Sequence, residues 1–227
     1  MLRKWDRLPA NMRTDAVRPY YEALKRKQGS LALKRAFDIA ASALMLIVAS
    51  PLMLAVAALI AADSRGGVFY RQERVTQYGK VFRIYKFRTM VKNADRIGAK
   101  VTVSNDSRVT KVGAKLRKYR LDEVPQLFNV LKGEMSLVGT RPESVHYVQR
   151  YTPEMMATLL LPAGVTSETS IRYKDEAELL DQADDVDRVY VEQILPEKMK
   201  YNLESLRQFS LGRDLKTLFR TVAAVVQ

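Results

Sequence analysis

The chain has 227 residues, of which 47% are hydrophobic, and this suits one domain with or without an appendage. It carries 38 Lys and Arg against 25 Asp and Glu, for a formal net charge of +13, and it contains no cysteine and a single histidine, His146. This composition excludes disulfides, thiolate zinc sites, cysteine nucleophiles and multi-histidine metal sites, so any chemistry must use carboxylates, hydroxyls, lysines and arginines.

The positive charge is concentrated in the first half of the chain. Residues 1–120 carry a net charge of +18 and residues 121–227 a net charge of −5. Such a distribution suits an anionic partner, which could be nucleic acid, an anionic membrane or a phosphorylated substrate. Residues 1–30 are polar and basic with a few aromatic side chains, and we interpret them as an interfacial or loosely ordered N-terminal extension.

An uncharged run of 24 residues, from Ile39 to Ala62, favours the membrane. As a helix it would be about 36 Å long, enough to cross a hydrocarbon core of about 30 Å. We therefore predict a membrane-embedded segment over residues 31–64. The alternative is a buried core helix of a soluble protein.

Ser50-Pro51 lies near the centre of this run. Proline removes one helical hydrogen bond and kinks or breaks the helix, and the Ser50 hydroxyl can satisfy part of the freed backbone. Basic residues flank the run on both sides, and the positive-inside rule places both flanks in the cytoplasm. This favours a re-entrant helix-break-helix hairpin over a kinked spanning helix, which would leave one basic flank outside.

The remaining residues, 65–227, are predicted to form a small cytoplasmic domain of the α+β class that is mainly helical, with amphipathic interfacial helices and a short β-hairpin. The predicted elements are strands around 68–70 and 81–85 joined across 77–79, helices at 114–118 and 126–132, an acidic helical stretch over 171–206 interrupted at Pro196, and a C-terminal amphipathic helix with Asp214 as candidate N-cap.

The candidate for chemistry is the adjacent carboxylate pair Asp122-Glu123. Basic residues surround it in sequence, so a carboxylate here would be held ionised and could attack phosphorus. The pair could also share a divalent cation with a diphosphate. Alternatively, the two carboxylates could cap a helix and neutralise neighbouring arginines.

Several motifs, in addition to the Asp122-Glu123 pair, point to a known family. They are Lys34–Asp38, Ser50-Pro51, Phe69–Arg74, Lys86–Met90, Leu116-Arg117, Leu121–Gly139 and Arg141–Glu143. In this order they resemble the bacterial sugar transferase family, the monotopic phosphoglycosyl transferases that start exopolysaccharide and glycoconjugate assembly. The resemblance runs from about Lys34 to the C-terminus.

The resemblance implies a two-step reaction. Asp122 would attack the sugar-bearing phosphate of a nucleoside diphosphate sugar, with uridine as the family's usual nucleoside, and release UMP from a covalent aspartyl phosphosugar. Polyprenyl phosphate, in bacteria undecaprenyl phosphate, would then accept the sugar phosphate and form a polyprenyl diphosphate sugar. Glu123 would help to position Mg²⁺, which makes Asp122 and Glu123 the expected metal ligands.

The same resemblance assigns binding roles. Residues expected at the substrate phosphates and nucleotide are Arg74, Lys86, Arg88, Arg117, Arg141, Pro142 and Glu143, and those expected at the polyprenyl phosphate or in the membrane are Lys34, Arg35, Ser50 and Pro51. Many family members read Pro-Arg-Pro where this chain has Thr140-Arg141-Pro142, so the loop lacks the rigidity of the first proline.

The resemblance also implies a location and partners. The protein would lie in the bacterial cytoplasmic membrane with its catalytic domain facing the cytoplasm, and would bind a nucleotide sugar, undecaprenyl phosphate and membrane lipid but no nucleic acid. The residues that select the sugar are expected within 144–200. A membrane-anchored scaffold and a homodimer stay open at this point.

Overall fold

A computed structural model describes residues 2–92, 94, 106–173 and 185–226, without the side chains of residues 225 and 226. Within these residues the chain is mainly helical and has two small sheets. The helices are α1 (Arg18–Lys25), α2 (Gln28–Asp63), α3 (Lys111–Lys118), α4 (Gln126–Lys132), α5 (Val145–Val148), α6 (Glu168–Arg172), α7 (Val186–Val189), α8 (Leu195–Arg207) and α9 (Leu211–Val226). The strands are β1 (Phe69–Val75), β2 (Val81–Phe87), β3 (Met135–Val138) and β4 (Ala163–Thr166).

The predicted hairpin is confirmed, with longer strands than expected. β1 and β2 pair antiparallel around a 3-10 turn at Gln77–Gly79. The helix predicted at 126–132 is also confirmed as α4, and Gly133 ends it in the left-handed conformation with φ of 81°. Part of the predicted acidic helical stretch, residues 174–184, lies outside the described residues.

The second sheet is a short parallel pair, β3 and β4. Immediately after β3, Gly139 lies against Gly164 so closely that a Cβ on Gly164 would be 2.2 Å from the Gly139 nitrogen. The two chain segments can therefore approach only because both residues lack a side chain. This contact sets the start of the Thr140-Arg141-Pro142 loop.

The long helix α2 carries the uncharged run. By length and composition, this helix is long and apolar enough to cross a membrane. The mean hydropathy of its most apolar window is 2.6. Large apolar side chains around its middle are open to the surroundings, including Ile47 at 71%, Val48 at 72% and Leu54 at 73% exposure. A soluble core helix would bury these residues, so the core-helix alternative fails.

The helix continues through Pro51 without an interruption between its two halves, so the predicted break at Ser50-Pro51 is not observed. Proline has no N–H for the carbonyl four residues back, Ile47 O, and the Ser50 hydroxyl donates to that same carbonyl at 2.8 Å. The predicted compensation by Ser50 is therefore confirmed. The first half of α2 packs against α4 and the second half against α3, so both halves contact the same domain.

The N-terminal segment is part of the core, so the alternative of a loosely ordered extension was wrong, whereas its position at the membrane interface stays a prediction. Leu8, Met12, Tyr20 and Leu24 are buried together with the 3-10 helix at Met155–Leu160. The apolar residues of the N-terminal segment are spaced so that its turns and α1 present them to the core, whereas its basic residues remain outside. Composition alone did not reveal this spacing.

The C-terminal helix α9 begins earlier than predicted. It starts at Leu211, and the Ser210 hydroxyl accepts a hydrogen bond from the Arg213 N–H at 3.3 Å, which makes Ser210 the capping residue. Asp214 is therefore not the N-cap. Its carboxylate instead lies 2.6 Å from the Lys34 ammonium of α2.

Candidate active site

The Asp122-Glu123 pair lies on a 3-10 turn, Leu121–Glu123, which leads into α4. Arg120 precedes the turn in the left-handed conformation, with φ of 55°, and turns the chain sharply into the pair. Both carboxylates are buried, Asp122 with 7% and Glu123 with 9% exposure. Buried carboxylates need compensation, and the two residues receive it very differently.

Glu123 is held by two cations. Arg141 donates to both of its carboxylate oxygens, at 2.5 Å and 3.3 Å, and the Lys86 ammonium donates at 3.0 Å. Such charge-assisted and partly bidentate bonds fix both position and orientation. Glu123 is therefore anchored between β2 and the loop after β3.

Asp122, in contrast, accepts no hydrogen bond from the residues that the structure describes. Its carboxylate has charge interactions with Lys86, Arg117 and Arg141 instead. A buried carboxylate without bound donors retains its lone pairs for another partner. This asymmetry was not predictable, because in sequence the two residues are adjacent and equivalent.

The pKa values of the two carboxyl groups are also shifted in opposite directions. Burial raises the pKa of Asp122, with Lys86 opposing the shift and the charge of Glu123 adding to it. Burial acts the same way on Glu123, but Arg141 and Lys86 outweigh it and hold the pKa of Glu123 well below its ordinary value. The expectation that nearby positive charge holds the nucleophile ionised thus describes Glu123; for Asp122 burial wins.

The pKa values of the neighbouring cations are shifted as well. The charge of Glu123 raises the pKa of Arg141, whereas burial lowers the pKa of Lys86 although Glu123 partly offsets this. Burial likewise lowers the pKa of Arg117, whose Nε donates to the Thr89 hydroxyl at 3.1 Å. The site therefore combines three buried or half-buried cations with two carboxylates.

A second buried network supports the Arg141 loop. Glu143 is 8% exposed, accepts a hydrogen bond from the Tyr190 hydroxyl at 2.7 Å and lies 3.6 Å from the Lys198 ammonium. Arg74 of β1 has charge interactions with both Glu143 and Arg141, and it donates to Gln72 at 2.6 Å. Pro142 lies between the two charged residues of this loop and is buried.

Three supporting residues, Tyr190, Lys198 and Asn129, were not among the predicted site residues. Asn129 is fully buried and bridges α4 to β2, because its side chain accepts from the Tyr85 N–H at 2.9 Å and donates to the Arg83 carbonyl at 3.0 Å. This places the Lys86 end of β2 beside the dyad. Asn129 lies within the Leu121–Gly139 motif of the family resemblance, but only the fold shows its structural role.

Arg88 lies elsewhere. Its guanidinium donates to the Ser64 and Arg65 carbonyls at 2.7 Å each, where it caps the C-terminal end of α2. A positive side chain is favourable at this end of a helix. The predicted phosphate contact of Arg88 stays a prediction, and the structure places its donors on α2.

Lys34 and Arg35 are also engaged within the protein. Lys34 is 7% exposed and lies between Asp38, at 3.8 Å, and Asp214. Arg35 donates to the Val130 and Leu131 carbonyls at 2.6 Å and 3.0 Å, at the C-terminal end of α4. Ser50 and Pro51 lie in the exposed apolar middle of α2, distant in sequence from the dyad.

The donor set fits a magnesium ion that is shared with substrate. No cluster of three or more metal-binding side chains occurs among the described residues. Mg²⁺, however, commonly takes one or two carboxylates together with substrate phosphates and water. Asp122, which accepts no hydrogen bond from the described residues, can supply one such carboxylate, and Glu123 could supply a second by exchanging one of its bonds to Arg141 or Lys86.

These features define a class: a protein with an exposed apolar helix whose small α+β domain holds a buried carboxylate dyad among cations. The model of the family described as bacterial sugar transferase matches residues 29–227, and the chain belongs to this family.

Three curated relatives illustrate the similarity. A UDP-N-acetylgalactosamine-undecaprenyl-phosphate N-acetylgalactosaminephosphotransferase of Aeromonas hydrophila is 37% identical over 86% of this chain and 44% of its own length. A UDP-glucose:undecaprenyl-phosphate glucose-1-phosphate transferase of Klebsiella pneumoniae is 35% identical over 85% of this chain and 40% of its own. The exopolysaccharide production protein ExoY of Rhizobium meliloti is 32% identical over 93% of this chain and 89% of its own. The chain thus spans less than half of the first two relatives.

Proposed function

We propose that the protein is a phosphoglycosyl transferase that moves a sugar 1-phosphate from a UDP-sugar to undecaprenyl phosphate, as the first membrane step of exopolysaccharide or glycoconjugate synthesis. The names of the Aeromonas hydrophila and Klebsiella pneumoniae relatives pair a UDP-sugar with undecaprenyl phosphate, and that of the Rhizobium meliloti relative refers to exopolysaccharide production. The observation that carries the proposal is the dyad asymmetry: Glu123 is bound to two cations, whereas Asp122 beside it accepts no hydrogen bond from the described residues.

In the first step an Asp122 carboxylate oxygen attacks the phosphorus that bears the sugar. A P–O bond forms to Asp122, the bond from this phosphorus to the bridging oxygen breaks, and UMP leaves with the bonding electrons. Arg141 and Lys86 lie beside the dyad and would stabilise the charge on the departing phosphate. Because Glu123 holds both cations, they are in place before substrate arrives.

In the second step a phosphate oxygen of undecaprenyl phosphate attacks the same phosphorus. The P–O bond to Asp122 breaks, and the carboxylate is regenerated with the polyprenyl diphosphate sugar as product. The intermediate spares the site from binding a water-soluble and a lipid-anchored anion simultaneously. Asp122 and Glu123 would hold Mg²⁺, which supplies charge neutralisation at the diphosphate.

The membrane arrangement follows from α2. We propose that α2 enters the cytoplasmic leaflet and returns, so that the catalytic domain faces the cytoplasm. Two observations support this: both halves of α2 pack against the same domain, and the exposed apolar residues concentrate around Pro51. Pro51 leaves the Ile47 carbonyl without a backbone donor, and the Ser50 hydroxyl donates to it instead. The helix can therefore bend at Pro51 without exposing this carbonyl unpaired to lipid.

The test is covalent labelling. Purified protein with Mg²⁺ and a UDP-sugar labelled in the sugar should retain the label after denaturation and release it on addition of undecaprenyl phosphate. Asp122→Asn should abolish the labelling, while the control Asp15→Asn, at an exposed carboxylate without a hydrogen bond or ion pair to the described residues, should retain the label. Transfer activity that persists in Asp122→Asn would remove the nucleophile assignment.

A further inference from the structure

A cavity of about 370 Å³ lies beside the Arg141 loop, where β3 and β4 end. Its walls come from these strand ends, from Lys34 of α2, from the 3-10 helix at Met155–Leu160 and from α6, α8 and α9. The volume is in the range of small-molecule sites, and the carboxyl ends of parallel strands are where α/β proteins usually bind ligands. The apolar side chains Phe219 and Val222, exposed on α9, are not among its lining residues.

The lining contains a buried amide with donor capacity to spare. Asn202 is 6% exposed, and its carbonyl oxygen accepts from the Thr169 hydroxyl at 2.8 Å. Its NH₂ group meets the Met199 sulfur at 3.7 Å. A thioether is a weak acceptor, so this NH₂ can donate a stronger bond to a ligand oxygen.

An aromatic ring and a cation lie on the same wall. Tyr201 lines the cavity with 37% of its surface exposed, and the Arg172 guanidinium lies 4.8 Å from its ring centroid. Lys216 lines the cavity from α9 and forms no ion pair with the described residues. A planar ligand with an anionic group suits this combination.

The cavity is also linked to the dyad. Thr140 lines it, and the next residue, Arg141, places its guanidinium on Glu123.

We propose that this cavity binds the nucleoside of the UDP-sugar. The base lies against Tyr201, a ring carbonyl accepts a hydrogen bond from Asn202, and the diphosphate extends past Thr140 to Arg141. The inference rests on the proposed function and adds the location of nucleoside recognition. A lipid tail suits the cavity less well, because charged side chains such as Lys34, Arg172 and Arg213 line it.

The experiment fills the cavity mouth. Ser205 lines it, is exposed, and makes no side-chain hydrogen bond within the described residues, so Ser205→Phe introduces bulk at little cost in stability. Lys200→Phe places the same side chain on the same helix at an exposed position outside the lining. A second variant, Asn202→Asp, keeps the acceptor for Thr169 and removes the NH₂ donors.

The probe is UMP, titrated by calorimetry into the full-length chain in detergent. Ser205→Phe and Asn202→Asp should each weaken UMP binding about tenfold or more, which is about 1.4 kcal/mol, and raise the KM for the UDP-sugar; Lys200→Phe should bind UMP like the wild type. Wild-type UMP affinity in Ser205→Phe would overturn the assignment, as would a rise in the KM for undecaprenyl phosphate alone. Because Asp122→Asn should still bind UMP, loss of labelling and loss of nucleoside binding are separable.

Discussion

Neutralising each dyad member in turn should have opposite effects on stability. Glu123→Gln removes the charge that faces Arg141 and Lys86 at 2.5 Å and 3.0 Å. Breaking a buried ion pair costs about 3–5 kcal/mol. The Arg141 side chain is 34% exposed, so water takes up part of its charge and we expect a loss of about 2–4 kcal/mol.

Asp122→Asn should instead stabilise the fold. The Asp122 carboxylate is buried without a hydrogen bond from the described residues, and its pKa is raised, chiefly by burial. A neutral amide removes this desolvation cost, and a gain of about 0.5–2 kcal/mol is typical of such relief at a functional site. For a chain of this size 1 kcal/mol moves the Tm by about 2–4 °C.

The directions of the two pKa shifts also predict how the stability differences of the variants change with pH. A carboxyl with a raised pKa destabilises the folded state above its unfolded pKa, so the advantage of Asp122→Asn should shrink as the pH falls. Glu123 has a depressed pKa, so its contribution is present above the unfolded pKa and is lost as the pH falls through the folded one. The deficit of Glu123→Gln should therefore also shrink in acid.

The assay is thermal unfolding of both variants and wild type in the same detergent, at neutral pH and at about pH 3, below the unfolded pKa of both carboxyl groups, with covalent labelling in parallel. We expect both variants to lose labelling, with the Tm of Asp122→Asn above that of wild type and the Tm of Glu123→Gln below it. Equal destabilisation by both substitutions would refute the asymmetric dyad.

Three further predictions concern the surroundings of the dyad. Gly164→Ala should cost about 1–3 kcal/mol and most of the activity, because its Cβ would displace Gly139 and the loop that follows, whereas Gly212→Ala, with open space around it, should be neutral or stabilising; denaturant unfolding compares them. Arg88→Ala should lower stability by about 1.5–3 kcal/mol through loss of the α2 cap, and a raised KM for the UDP-sugar at unchanged stability would favour the phosphate role instead. The initial rate of labelling should fall about tenfold per pH unit below the raised pKa of Asp122, so an acid limb at the ordinary value of a free aspartate would contradict its burial.

The sequence alone predicted the features that depend on local pattern. An uncharged run of sufficient length predicts a long apolar helix, and a proline removes a hydrogen bond wherever its helix lies. The β1–β2 hairpin and the Gly133 stop of α4 are likewise local, because turn residues and alternation act over a few positions. The motif order was sufficient to indicate the family.

Only the tertiary structure decided how charges pair. Asp122 and Glu123 are neighbours in the chain, yet Glu123 receives Lys86 from 37 positions upstream and Arg141 from 18 positions downstream, while Asp122 receives neither as a hydrogen bond. Arg88 lies in a family motif but caps α2, and the basic N-terminal segment supplies buried apolar residues to the core. Burial and pairing depend on contacts between distant segments, and a pattern of residue types cannot determine which of several nearby cations a carboxylate will meet.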